Sequence, residues 1–286
     1  MRMLALCSVF CLAALAISTP AAADESKPQA AWGLEIRLGP YAPVWGRQPI
    51  VQIAPLLDET GNAVLDDQGN PQTTTHRLGT EHDYFKKFFG HSKPFMFTVE
   101  VERYVPVPII GLVGVFARGG QWKISGKTRV CYDPVDAAKV VSCTASDIMT
   151  GNSSAGNGTT SITVYPISLG AVYRFDLLER RWSIPIMPYG KVAFDYFMWT
   201  SSVNGKTASF KSGEEAKGGT AGWEAAGGLS LNLDWIDPRG SNKNAIFLDS
   251  NLFVEYQRVW ANGFGNRDKA DMSGTQLMFG LAFDFQ

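Results

Sequence analysis

Charged residues recur at every second position in several short stretches of this sequence, each time opposite a row of apolar residues. In the stretch WGLEIRLGP, Glu35 and Arg37 alternate with Leu34, Ile36 and Leu38. Successive side chains of a strand point to opposite faces, so such a stretch predicts one charged face and one apolar face. Over the whole chain the charged faces contain these candidate residues: Glu35, Arg37, Glu100, Glu102, Arg118, Arg174, Lys191, Asp195, Glu224, Asp249 and Glu255.

Two kinds of chemistry are open to this set of charges. If the charged faces meet in an enclosed space, acids and bases should pair, because an unpaired buried charge is costly. A paired set would fill the space and hold the strands in register. The excess of acids over bases favours the other possibility, a narrow polar path for small solutes or cations. The sequence leaves both interpretations open.

Residues suited to nucleophilic catalysis or metal binding are few. The three histidines, His76, His82 and His91, fall in one stretch that we expect to be a loop, and His91 and Ser92 form the only close Ser–His pair. Neighbouring residues of an extended segment point to opposite faces, so this pair could form a dyad only at a turn. No His, Cys or Asp cluster has metal-ligand spacing, and no phosphate-binding glycine motif occurs. We therefore predict no enzyme activity, no metal and no cofactor.

The start of the chain has the composition of a secretory signal peptide. Arg2 is its only charge, an apolar run extends from Leu4 to Ile17, and Ala23 ends a small-residue cleavage site. The run is shorter than the roughly 20 residues that a membrane-spanning helix needs. We predict a signal peptide over residues 1–23 and a single domain over residues 24–286.

Removal of this segment would leave two of the four cysteines, Cys131 and Cys143. Two cysteines in an exported chain favour one disulfide in an oxidising compartment. Loss of Arg2 would leave 25 of the 26 Lys and Arg residues beside 27 Asp and Glu. This near balance of charge argues against a nucleic-acid partner.

Eight stretches of about 10–14 residues carry the alternation and predict strands. They are WGLEIRLGPY, PFMFTVEVERY, the segment from Gly111 to Ile124, SITVYPISLGAVYRF, PYGKVAFDYFMW, GWEAAGGLSLNLDW, AIFLDSNLFVEYQRVW and the closing TQLMFGLAFDFQ. Short connections alternate with long ones rich in Gly, Asn, Ser and Thr. The long connections cover residues 42–93, 125–160, 201–220 and 261–274.

The first long connection contains a helix signal. Thr80 and Asp83 have capping-box spacing, and Gly90 would end the helix. One helix face would be shared by Tyr84, Phe85, Phe88 and Phe89. We predict a short helix here, which either packs over the mouth of the domain or contacts a partner.

The apolar faces could look toward a soluble core or toward lipid. A soluble β-protein also alternates, with its apolar face inward, but here the opposite face contains Gly, Ala and Ser beside isolated charges, which suits a cramped interior. The apolar faces also end in aromatic rings, as at the interfaces of a bilayer. In hydrocarbon, strands can pair every backbone group only as a closed barrel. We assign these aromatic residues to interfacial belts: Trp32, Tyr41, Tyr104, Tyr173, Tyr189, Trp199, Trp223, Trp235, Tyr256 and Trp260.

With its signal peptide, eight strands and aromatic last strand, the sequence resembles the small outer-membrane β-barrels of Gram-negative bacteria. In that group, alternating aromatic residues of the last strand form a signal for the barrel assembly machinery, and Phe279, Phe283 and Phe285 match this pattern. Gln286 departs from it, because Phe is usual at the very end. The resemblance implies export to the outer membrane and contact with its lipid and with the assembly machinery.

We therefore predict an all-β fold, an eight-stranded antiparallel transmembrane β-barrel with long extracellular loops and short periplasmic turns. The leading functional hypothesis is a structural or surface-interaction protein with a plugged lumen, whose extracellular partner would bind loops 42–93 and 125–160. A narrow porin for small solutes or cations is the alternative, and a lipid-modifying barrel enzyme comes third.

Overall fold

The computed structural model describes thirteen parts of the chain, and the account below concerns these residues. They are 31–45, 49–55, 68, 72–90, 93–107, 111–132, 140–141, 143, 145–182, 184–209, 213–233, 247–266 and 269–285. The predicted signal peptide, the His91–Ser92 pair and Trp235 lie outside them.

Twelve strands and three helices occur in these ranges. The strands are β1 (Trp32–Pro40), β2 (Pro49–Pro55), β3 (Thr73–Thr80), β4 (Phe95–Val107), β5 (Gly111–Tyr132), β6 (Val140–Val141), β7 (Ser153–Arg174), β8 (Ile186–Val203), β9 (Lys206–Thr207), β10 (Lys217–Asn232), β11 (Phe247–Trp260) and β12 (Gly274–Phe285). The helices are α1 (Glu81–Phe89), α2 (Ala145–Thr150) and α3 (Leu177–Trp182). None of the described helices has the length and apolar character needed to cross a bilayer.

Eight of the strands close into one antiparallel ring. Its order is β1-β4-β5-β7-β8-β10-β11-β12, and the last strand pairs with the first from Trp32–Phe285 to Leu38–Phe279. At this seam Gly280 lies opposite Arg37, where an added Cβ would collide with the carbonyl oxygen of Ile36. Because each of these strands has a neighbour on both sides, the ring has no free sheet edge. The predicted eight-stranded antiparallel barrel is confirmed.

The alternation places apolar side chains on the outside of the ring and charged ones inside. Leu169 is 50% exposed and Phe194 is 52% exposed, whereas Arg37 and Glu100 are fully buried. This is the reverse of a water-soluble core, in which large apolar groups converge inward. The outer wall is therefore an apolar band, and the interior is polar.

Three of the aromatic residues that we assigned to interfacial belts lie inside the barrel instead. Tyr41, Tyr104 and Tyr189 are all less than 8% exposed. Tyr104 and Tyr189 share their side of the strand with inward charges, as Tyr189 does with Lys191, and Tyr41 continues the inward period of Arg37 just past the end of β1. The belt assignment is wrong for these three, because the period of two decides the direction of a side chain and residue type does not. Tyr173, Trp223 and Tyr256 do face outward.

Strands β5 and β7 are longer than predicted and replace much of the expected loop 125–160. They pair from Leu112–Arg174 to Cys131–Ser153, with a register shift between Lys127 and Arg129. We call residues 126–132 and 153–160 the outer extension, because they continue past the ends of the neighbouring strands. Cys131, in this extension, forms a disulfide with Cys143.

The predicted helix is present in the first long connection. The Thr80 side chain accepts a hydrogen bond from the Asp83 backbone N–H, and the Asp83 carboxylate accepts one from the Thr80 backbone N–H. Gly90 caps the other end with a φ of 80°. Phe85 and Phe89 pack against apolar residues inside the outer mouth of the barrel, as expected for a helix that covers the mouth.

Candidate functional site: the charged lumen

Ten ionisable side chains form one continuous ion-pair network across the lumen. Every strand of the ring contributes at least one of them, and all ten are at most 4% exposed. The members are Glu35 and Arg37 of β1, Glu100 and Glu102 of β4, Arg118 of β5, Arg174 of β7, Lys191 of β8, Glu224 of β10, Glu255 of β11 and Asp284 of β12.

Lys191 lies at the centre of this network. Its Nζ is 2.7 Å from Glu35 Oε2 and 2.8 Å from Glu102 Oε1, and it also pairs with Glu100. Oxygens of these three carboxylates lie within 4.8 Å of one another, a spacing that could hold a metal ion. The ammonium group of Lys191 contacts all three and supplies positive charge from the protein itself.

Arg37 and Arg118 connect Glu100 to the far side of the barrel. Arg37 Nη1 donates to Glu100 Oε2 over 2.6 Å, while its Nη2 pairs with Glu255 on β11. Arg118 Nε is 3.0 Å from the same Glu100 oxygen, and its Nη2 pairs with Glu224 on β10. Because β11 is not a neighbour of β1 and β10 is not a neighbour of β5, the pairs Arg37–Glu255 and Arg118–Glu224 brace the ring across its width.

Arg174 makes a third set of contacts and includes a residue that sequence analysis missed. Its Nη2 donates to Glu35 Oε1 over 2.8 Å and also to Glu102, and its Nη1 is 3.3 Å from Asp284 Oδ1. Asp284 follows Phe283 directly in β12 and therefore points to the opposite face, so the alternation of the last strand was enough to predict that Asp284 faces the lumen.

Nine of the eleven charged residues singled out from the sequence belong to the network, and two do not. Asp249 is half-buried and accepts a hydrogen bond from Asn232 Nδ2 over 3.2 Å, but takes no part in the ion pairs between described residues. Asp195 is fully buried; its carboxylate has hydrogen-bonding neighbours in Ser168 and Glu224 but takes part in no ion pair between described residues. Ser168 lies opposite it on β7.

The charges inside the barrel do not balance if all are ionised. The six carboxylates of the network and Asp195 face four cations. Burial of an unpaired carboxylate is unfavourable, so Asp195 is the residue whose charge the barrel accommodates least well.

We predict that Asp195→Asn raises the free energy of unfolding by about 1–3 kcal/mol, because it removes an unpaired buried charge and keeps the shape of the side chain. The matched variant Glu224→Gln should lower it, since Glu224 pairs with Arg118. Urea unfolding of both variants in the same micelles measures the difference. A loss of stability in Asp195→Asn would mean that the ionised carboxylate has a cationic partner.

Apolar side chains close the lumen on both sides of the network. The outer cluster contains Tyr41, Trp122 and Phe197, and the Trp122 indole N–H donates to the carbonyl oxygens of Tyr41 and Pro94 over 3.1 Å. Toward the other end, aromatic rings lie against the cations of the network. The guanidinium carbon of Arg174 is 4.8 Å from the Tyr104 ring centroid, a cation–π distance.

Comparison with solved structures finds matches that cover most of this chain at low identity. Two structures of Ail, the attachment invasion locus protein of Yersinia pestis, each match with a TM-score of 0.35 and 10% identity. The match to Ail in complex with the heparin analogue sucrose octasulfate covers 89% of this chain and 99% of Ail. The match to the second Ail structure covers 90% of this chain and 100% of Ail. The outer-membrane protease OmpT of Escherichia coli has a TM-score of 0.30 and 8% identity, with 90% of this chain and 94% of OmpT covered. No protein-family model matches the sequence, and comparison with curated proteins gives no significant match.

The prediction that this barrel is not an enzyme is corrected by the same comparison. OmpT is a protease, so a barrel architecture does not by itself exclude catalysis. Likeness at 8% identity concerns the fold alone and assigns no protease activity to this chain. The side chains of His76, His82 and His91 lie outside the described residues.

The C-terminal phenylalanines lie on the lipid side of β12. Phe279 is 43% exposed, and its ring packs edge-on against Phe95 with centroids 6.1 Å apart. Phe283 and Phe285 have the same parity and are half-buried. Their recognition by the barrel assembly machinery stays a prediction.

Proposed function

We propose that this barrel is sealed to solutes and acts at the cell surface. The main support is the burial of the ten network charges, of which the most exposed is Arg118 at 4%. A conducting path needs polar groups in contact with water, and these are in contact with one another. The outer apolar cluster around Trp122 and Phe197 adds a second barrier.

Planar bilayers provide the test of a sealed lumen. We expect the purified barrel to give no discrete conductance steps under conditions in which an open porin, measured as a control, does. Heat modifiability in gels confirms that the inserted protein is folded. Reproducible conductance steps from the folded barrel would favour the narrow-porin alternative and overturn this proposal.

The outer extension supports a role at the cell surface. Two of its exposed residues are Asn157 and Thr159, and the exposed Lys123 and Lys127 lie on one side of β5. The β7 half of this hairpin, Ser153 to Thr160, consists of small and polar residues on both sides and contributes little to a barrel core, so we expect this segment to bind a partner. The exposed lysines favour an anionic one, such as a sulfated polysaccharide.

Removal of the outer extension tests this second part. Gly126 and Thr160 are paired, so a short Gly-Ser turn can replace residues 127–159 and leave the rest of the barrel intact. We expect the shortened barrel to remain heat-modifiable and to lose retention on heparin resin. Equal retention of both proteins would place the interaction elsewhere.

A further inference from the structure

A second polar site lies on the outer wall of the barrel, where β1, β4, β11 and β12 reach its outer end. It is a cavity of about 470 Å³ lined by residues that include Lys86, Lys93, Arg258, Ser273, Thr275 and Leu277. The lining residues lie in α1, in β1, β11 and β12 and in the segments next to these strands and β4, and none of them is a member of the ion-pair network.

The cavity forms where the first and last strands part. Their pairing ends at Leu38–Phe279, while β12 continues along β11 as far as the Val259–Gly274 pair. Above the gap, the Val44 backbone N–H donates to the Ser273 carbonyl oxygen over 3.0 Å and closes the top. The opening therefore belongs to the fold of the seam, and its walls are fixed by backbone hydrogen bonds.

Three cations at this cavity have no acidic partner among the described residues. Lys86 and Lys93 are exposed, and no ion pair between described residues includes either of them or Arg258. Arg258 lies opposite Thr275 in the β11–β12 pairing, with its guanidinium carbon 5.7 Å from the Trp260 ring centroid. Unpaired cations beside a hydroxyl group are suited to a phosphate.

The wall next to the cations is apolar and faces lipid. Leu277 lines the cavity and is 50% exposed, and Phe279 follows two positions further into the band. A ligand here would meet positive charge at the outer boundary and hydrocarbon-like surface directly below it. An amphiphile with an anionic headgroup would contact both the cations and the apolar wall, whereas a soluble anion would contact only the cations.

We infer that this cavity binds the phosphorylated sugar headgroup of a glycolipid in the outer leaflet, a lipid of the lipid A type. Lys86, Lys93 and Arg258 hold the phosphate, and an acyl chain lies along Leu277 and Phe279. The inference rests on the outer-membrane placement of the barrel but not on the sealed lumen. A barrel that conducts ions and still binds this lipid would overturn the proposed function alone.

Lipid A binding to the full barrel in detergent micelles tests the inference, with the shift of the heat-modifiable gel band as a measure of stabilisation. The triple variant K86Q/K93Q/R258Q should bind diphosphorylated lipid A at least about tenfold more weakly, because charge-assisted hydrogen bonds are lost. Lipid A without phosphates should stabilise the original barrel less, and inorganic pyrophosphate should have little effect.

The control variant K206Q/K217Q/K269Q removes the same charge from other exposed positions and should keep the original affinity. Equal weakening in both variants would mean that net charge, and not this cavity, attracts the lipid. Full stabilisation by pyrophosphate would identify a free-phosphate site and overturn the assignment to a lipid. The heat-modifiable band shows in each case that the variant is folded.

Discussion

Replacement of Lys191 by methionine should lower the free energy of unfolding of the barrel by about 3–5 kcal/mol. Methionine has a similar length but no charge, so the change leaves Glu35, Glu100 and Glu102 close together without their shared cation. Arg37 and Arg174 cannot replace it fully, because both already pair with other carboxylates. Urea unfolding in micelles measures the loss.

Two further variants make this result specific. Lys206→Met removes an exposed lysine on the outer side and should change stability very little. Adding Glu100→Gln to Lys191→Met should recover part of the loss, because one of the uncompensated carboxylates is then neutral. If Lys191→Met is no less stable than Lys206→Met, the three carboxylates are not held by the lysine, and the network does not brace the barrel.

The period of two carried most of the correct sequence inferences. It placed Glu35 and Arg37 on the side opposite Ile36, and that side is the lumen. The same alternation indicates that Asp284 points inward, because Phe283 and Phe285 lie on the other face of the strand, but we did not include Asp284 among the candidate residues. Alternation is reliable here because every strand has a lipid face and an interior face that differ strongly in the side chains they accept.

The direction of several aromatic side chains was predicted wrongly, because it was inferred from residue type and not from position in the alternation. Tyr104 and Tyr189 were assigned to an interfacial belt because tyrosine is common there, yet both rings lie beside buried cations. Phe253 departs from the alternation of β11, because it is apolar but faces inward, where its ring is 5.9 Å from the Arg37 guanidinium carbon. A lumen with buried charges can take aromatic rings, since the rings attract the cations.

The outer extension was missed for a different reason. Its β7 half, from Ser153 to Thr160, is rich in Ser, Gly, Asn and Thr, a composition typical of loops. Both of its faces are wet, so no apolar period marks it as a strand. Pairing with β5 decides its structure, and a contact between distant parts of the chain is not visible in either segment alone.

A charge on the outer wall provides the most direct test of which solvent the apolar band meets. Leu169 lies midway between Tyr165 and Tyr173, the outward residues that bound this part of β7, and is 50% exposed. In a bilayer, Leu169→Arg should lower the free energy of unfolding by about 2–4 kcal/mol, because a guanidinium at mid-depth loses its hydration. In water the same exposed substitution would be nearly neutral.

Two variants separate this effect from local packing. Leu169→Ala removes the same contacts without adding a charge and should cost less than Leu169→Arg. Thr159→Arg places the same side chain on the same strand, at an exposed position of the outer extension, and should leave stability unchanged. Unfolding measured in lipid vesicles gives all three values. Equal stability of the two arginine variants would mean that Leu169 faces water, and that the apolar wall of this ring is not its contact with a membrane.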